Sequence, residues 1–191
     1  MSTFARRELS SERGIVAVRS AVEDDAPRIL EVMLTVLRAE RCFHTIQADE
    51  VDRDEVKQRA RIRAFAEAPR RIILVAEAEE AAGPSIVGFA ELENGFRRRM
   101  AHKVSGFVSV LPEWRALGVG RALAVAIRNW VYAEPGVEKV SFTVLATNEA
   151  SLALTRGFGM QEEAVLRREV RIGPEEYVDL IVMSILIPRP S

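Results

Sequence analysis

Residues Val108–Leu123 read VSVLPEWRALGVGRAL: an alternating apolar strand, a proline, a glycine-bearing turn and the start of an amphipathic helix. Pro112 ends the strand because its ring removes the N–H that a ladder needs. The turn from Arg115 to Gly120 feeds a helix whose first amides lack intrahelical partners and carry the positive end of the helix dipole. Gly118 and Gly120 have no Cβ, so an anion can come close to the main chain. This predicts a pyrophosphate cradle, with an ordinary tight strand-to-helix turn as the plainer alternative. A dinucleotide fingerprint would need a small residue where Leu123 stands, and a Walker loop would need Gly-Lys-Ser/Thr, which is absent.

Working outward, periodicity predicts strands at Ile15–Arg19, Ile72–Ala78, Ile86–Glu93, Ser105–Leu111, Lys139–Leu145, Glu163–Ile172 and Tyr177–Ile187. Helices are expected after Asp24 or Asp25, with an Ile29–Leu37 apolar stripe, and over roughly Asp52–Ala68, with Ile62 and Phe65 facing inward. Two more follow at Gly118–Ala133 and Asn148–Arg156. The order β-α-α-β-β-β-α-β-α-β-β implies an α/β (α+β) fold with a mixed, mostly antiparallel central sheet flanked by helices. Residues 1–13 are expected as a flexible N-terminal tail and 14–188 as a single domain.

The 191 residues are 48% hydrophobic and 29% charged, which suits a folded soluble chain. Lys plus Arg (27) balances Asp plus Glu (28), so a general nucleic-acid partner is not expected; Arg97-Arg98-Arg99 is the one basic cluster. No apolar run is long enough for a membrane span, and no signal peptide is recognisable, so a cytoplasmic protein is expected. One cysteine, Cys42, and two histidines, His44 and His102, leave too few soft ligands for a zinc centre; no metal is expected.

Arg115-x-x-Gly118-x-Gly120, after a strand ending Val-x-Val-x-Pro, resembles the acyl-CoA motif of the GNAT superfamily of acetyl-CoA-dependent N-acetyltransferases. Asn148–Val170 (NEASLALTRGFGMQEEAVLRREV) is similar to that family's N-x-x-A-x-x-L-Y-x-x-x-G-F block. Asn148, Ser151 and Leu154 fall on its Asn, small residue and Leu, and Gly159-Met160 on Gly-Phe. The resemblance implies acetyl-CoA as acetyl donor. Main-chain groups of Val108 and Val110 would bond the pantetheine arm. Amides of Arg115, Leu117, Gly118, Val119, Gly120 and Arg121 would hold the pyrophosphate. The Asn148 side chain would bond the pantetheine, Ser151 would belong to the same cofactor-binding set, and Arg156 would reach a phosphate.

Acetyl transfer to an amine needs a proton acceptor for the amine and donors to the thioester oxygen. Glu91 and Glu93 share one strand face, and His102 opens the next strand; these three are the candidate bases, with exposed carboxylates and a hairpin-fixing histidine as the plainer readings. Thr155 stands where the family commonly has a tyrosine acid, and Tyr177 is another possible phenol. The expected function is transfer of an acetyl group to a primary amine, on a small molecule or amino acid. A CoA-binding regulatory module and a protein N-terminal acetyltransferase are the alternatives. A homodimer stays open.

Overall fold

Backbone pairing turns the apolar alternation into one eight-stranded sheet in a computed structural model that describes residues 4–11, 14–39, 44–80 and 83–188. The strands are β1 (Arg7–Ser11), β2 (Gly14–Ser20), β3 (Ile72–Glu80), β4 (Gly83–Asn94), β5 (Lys103–Val110), β6 (Lys139–Leu145), β7 (Gln161–Arg171) and β8 (Tyr177–Leu186). The helices are α1 (Ala26–Ala39), α2 (Glu55–Glu67), α3 (Val119–Ala133) and α4 (Glu149–Gly157). The expected mixed sheet is present: its order is β1-β2-β3-β4-β5-β6-β8-β7, antiparallel throughout except between β5 and β6. Cys42 and Phe43 lie outside the described residues.

One expectation is corrected at the N-terminus. Arg7–Ser11, read as part of a flexible tail, forms β1 and pairs with β2 from Arg7↔Val18 to Ser11↔Gly14. Its polar alternation hides it, because an edge strand needs only one apolar face. The β3–β4 hairpin is also longer than its apolar residues suggest, with Glu79 and Glu80 paired to Pro84 and Gly83.

The helix starts follow local chemistry. Asp54 caps α2 by accepting from the Val56 and Lys57 amides at 2.9 and 3.2 Å. Asp25 ends a 3-10 turn before α1 and accepts from the Val22 amide at 2.7 Å. Arg19 of β2 then grips both Asp25 oxygens, at 2.6 and 2.9 Å, and Glu77 of β3 at 2.6 Å. This fastens the entry of α1 to the sheet.

The core fills both sides of the sheet centre. Ile72 to Ala76 are all buried, as are Val87, Phe89, Ala90 and Leu92, so β3 and β4 are covered on both faces. α1 and α2 pack together against β3, β4 and β5, and α3 packs on β2 to β5 through Leu123, Ile127 and Trp130. At the far edge β7 is exposed along almost its whole length, and two bulges interrupt its ladder with β8, between Glu162 and Ala164 and between Leu166 and Val170. Arg168, in the second bulge, has φ 52° and donates its amide to Asp179 at 2.7 Å.

Candidate functional site

The parallel junction of the sheet is short. β5 and β6 pair only at Lys103↔Lys139, Val104↔Val140 and Ser105↔Ser141. Gly106 follows, and a Cβ there would sit 1.8 Å from the Glu91 carbonyl oxygen, so only glycine allows β4 and β5 to approach this closely. Beyond it the strands part around a cleft of about 450 Å3. Both helical layers reach that gap: Met33 and Leu37 of α1 line it from one side, and Ala124 and Ile127 of α3 with Asn148 and Thr155 from the other.

Beside these α3 and α4 residues, main chain of β5 and of the turn into α3 is open on this side. The Leu111 amide donates to the Val87 carbonyl, so in this antiparallel ladder odd-numbered residues of β5 bond β4. Val108 and Val110 therefore turn their N–H and C=O groups away from β4, toward the parted side. The Val110 carbonyl already accepts Arg115 Nε at 3.1 Å, which folds the turn back on the strand. That turn holds two left-handed residues, Ala116 at φ 56° and the helix cap Gly118 at φ 90°. A Cβ on Gly120 would meet nothing nearer than Leu154 Cδ2 at 3.6 Å, so the first turn of α3 is bare on that side. The amides of Val119, Gly120 and Arg121 are the unpaired donors that a helix start presents. The Val119 side chain is core, Leu117 packs on the core and Arg121 is exposed.

Asn148 caps α4, accepting from the Ser151 amide at 3.0 Å, and both residues border the cleft. Arg156 is exposed and does not line it. Thr155 is buried at the cleft wall, but its hydroxyl donates to the Leu152 carbonyl at 3.0 Å. That hydroxyl proton is spent within the helix.

The wall toward α1 and α2 is built from side chains. Phe107 borders the cleft and packs edge-on against Phe89, with ring centroids 5.6 Å apart. Directly across the ladder from Phe107 lies Glu91, only 4% exposed. Its Oε1 is held by Arg61 Nη2 of α2, and its buried Oε2 has no hydrogen-bond partner. Burial pushes this carboxyl above its ordinary value; the Arg61 charge and hydrogen bond pull it down, and Glu93 adds a lesser upward push.

The three candidate bases are thus separated. Glu91 sits one layer behind the cleft surface. Glu93 is half-buried near Arg71, at 4.0 Å, and does not line the cleft. His102 is exposed in the turn before β5, where its carbonyl accepts from the Glu138 and Lys139 amides, so its main chain fixes that corner and its side chain is outside the cleft. His44 borders the cleft with Thr45 and Ile46. Tyr177 does not, and the Arg168 guanidinium covers its ring at 4.3 Å.

Sequence reasoning missed Arg61, Phe107 and Gly106. A glycine inside the strand SGFVSV is the usual mark of a close backbone approach and signals Gly106. Nothing in the charged run of α2 singles out Arg61 from Arg59 or Arg63. Among the described residues no group of three or more His, Cys, Asp and Glu could hold a metal ion, and no helix is long and apolar enough to cross a membrane.

Residues 28–160 match the sequence profile of the Acetyltransferase (GNAT) family. A search of curated proteins returned no match. Among solved structures, a GNAT-family acetyltransferase from Streptococcus pneumoniae superimposes with a TM-score of 0.83 at 21% identity, covering 90% of this chain and 99% of that one. The Salmonella typhimurium protein yncA, solved with acetyl-CoA, gives 0.73 at 18% identity over 92% and 96% of the two chains. A phosphinothricin acetyltransferase from Sinorhizobium meliloti, also in complex with acetyl-CoA, gives 0.76 at 18% identity over 96% and 94%.

Proposed function

The chain belongs to the acetyltransferase (GNAT) family, and we propose that it moves an acetyl group from acetyl-CoA to the primary amine of a small molecule or amino acid. One observation carries this reading: the strands β5 and β6 part beside the bare N-terminus of α3, leaving a cleft that both helical layers reach. The residues present fit the donor. The α3 amides, with Gly118 and Gly120, suit a pyrophosphate. The outward main-chain groups of Val108 and Val110 suit an extended amide-bearing arm, which would lie beside β5 as an added strand. The Salmonella and Sinorhizobium neighbours bind acetyl-CoA on the same fold.

Acetyl-CoA supplies the acetyl group as an activated thioester. This chain's own contributions are three. Amides of β5 at the parting point offer donors to a carbonyl oxygen in a site lined by the apolar side chains of Phe107, Met33 and Leu37. Asn148 and Ser151 shape the channel for the arm. Glu91 takes the proton of the acceptor amine; because it lies behind Phe107, it does so through a water molecule that its unpartnered Oε2 accepts from. Thr155 has no part in protonating the thiol, since its hydroxyl is committed to Leu152. The test is a panel of amines, amino acids and peptide N-termini, with mass detection of acetylated product and of free thiol. Acetylation of small amines supports the proposal. Acetyl-CoA binding without thiol release would replace it with a CoA-binding module, and acetylation of peptides alone with a protein N-terminal acetyltransferase.

A further inference from the structure

We infer that Arg61 is a positioning residue for the proton-accepting carboxylate: it fastens one oxygen of Glu91 and leaves the other as the single acceptor. This rests on Glu91 being the group that takes the amine's proton. The arrangement is asymmetric. The Glu91 side chain is 5% exposed and that of Arg61 41%, so the charge that offsets the buried carboxylate arrives from the solvent side of α2. The Arg61 guanidinium lies over the Phe65 ring at 5.2 Å, and Phe65 is itself buried, so Arg61 has a packed platform that limits its rotamers.

The elements packed around Glu91 bring it mostly apolar neighbours. Across the ladders it faces Ile73 of β3 and Phe107 of β5. α1 brings the apolar Met33 and Leu37 to the cleft. Glu93, two residues along β4, is the second charge acting on it, and Arg71 stands 4.0 Å from Glu93. Among the described residues Arg61 therefore supplies the one direct cation. In the step itself a proton leaves the ammonium of the acceptor and passes through water to Glu91 Oε2, and the amine keeps its electron pair.

The experiment is kcat/KM against pH with an acceptor from the amine panel, alongside acetyl-CoA affinity by calorimetry. R61Q and R61A remove the charge, and alanine keeps the helix propensity of the position. In either, kcat/KM at neutral pH is expected to fall roughly tenfold and to recover at higher pH, because a buried carboxylate without its cation is harder to ionise. R61K keeps the charge and should hold the rising limb near that of the parent. Acetyl-CoA affinity should not move. In an E91Q background, R61Q should no longer displace the limb. A limb in R61Q and R61A at the parent position overturns the inference while leaving Glu91 as base, and so does a displacement that persists in E91Q. If E91Q alone keeps the parent rate and profile, the base reading fails and the inference falls with it.

Discussion

The two walls of the cleft are made of different material. Toward α3 and α4, beside Ala124, Ile127 and Asn148, main chain adds amides and carbonyls, held by a turn with two left-handed residues and by a bare first helical turn. Toward α1 and α2 the lining groups are side chains: Phe107, Met33, Leu37 and, behind them, the Arg61–Glu91 pair. A main-chain wall depends on backbone shape and so on a few residues that permit that shape. A side-chain wall depends on the identity of each residue and on which elements the fold brings together. On the proposed function, the first would meet what every acyl-CoA shares, and the second would be free to select an acceptor.

The comparison breaks most severely at Gly106, the residue that both walls share. A methyl group 1.8 Å from the Glu91 carbonyl forces β4 and β5 apart. Gly106→Ala should cost roughly 3–4 kcal/mol in chemical denaturation, near the top of what single substitutions do; a loss under about 1 kcal/mol would show that the two strands have slack to yield. Next is Gly120→Glu, which touches the main-chain wall alone. Its Cβ has room beside Leu154, so the fold should stand, while acetyl-CoA affinity falls at least ~100-fold, about 2.7 kcal/mol. Calorimetric binding at the parent level would mean that the anion sits elsewhere.

A third substitution isolates the side-chain wall through stability. Burial holds the Glu91 carboxyl above its ordinary 4.5, so the folded state keeps this proton to higher pH than the unfolded chain does. Below both values the carboxyl is protonated in either state and a glutamine imitates it. As pH climbs past 4.5 the unfolded chain ionises first, and the parent loses stability that E91Q retains. E91Q should therefore melt with, or slightly above, the parent at pH 7, and the gap should close toward pH 4. E91Q melting below the parent at pH 7 would show that Arg61 outweighs burial. The smallest effect is expected at Thr155: Thr155→Val removes a hydroxyl bonded within α4, costs about 1 kcal/mol, and keeps kcat within about threefold. A hundredfold loss with intact acetyl-CoA binding would give the hydroxyl a chemical role.

The same division explains what could be read before any coordinates. VSVLPEWRALGVGRAL and NEASLALTRGF announce the main-chain wall, because special backbone conformations demand glycine, proline and a capping asparagine at set spacings, and such residues are visible in a string of letters. The sheet and its helices were legible for a related reason, since periodicity reports which face is buried. β1 was not, its alternation being too polar to stand out. Across the cleft, Glu91 was legible only as one of three bases. Its separation from Glu93 and His102 depends on α2 covering one residue of β4 and not its neighbours, and Arg61 meets Glu91 across thirty residues of chain. No local pattern encodes such a meeting.

The outer strand of the sheet sets a rule for how copies of this chain behave when concentrated. An exposed edge invites a further strand, and Val165 and Leu166, 40% and 38% exposed, would reward one. They are flanked by Glu162, Glu163, Arg167 and Arg168, and the bulges on either side throw the residues beyond them out of step with any straight partner. Arg168 has already committed its amide to Asp179. The bulges and the flanking charges therefore oppose a continuous intermolecular sheet through β7.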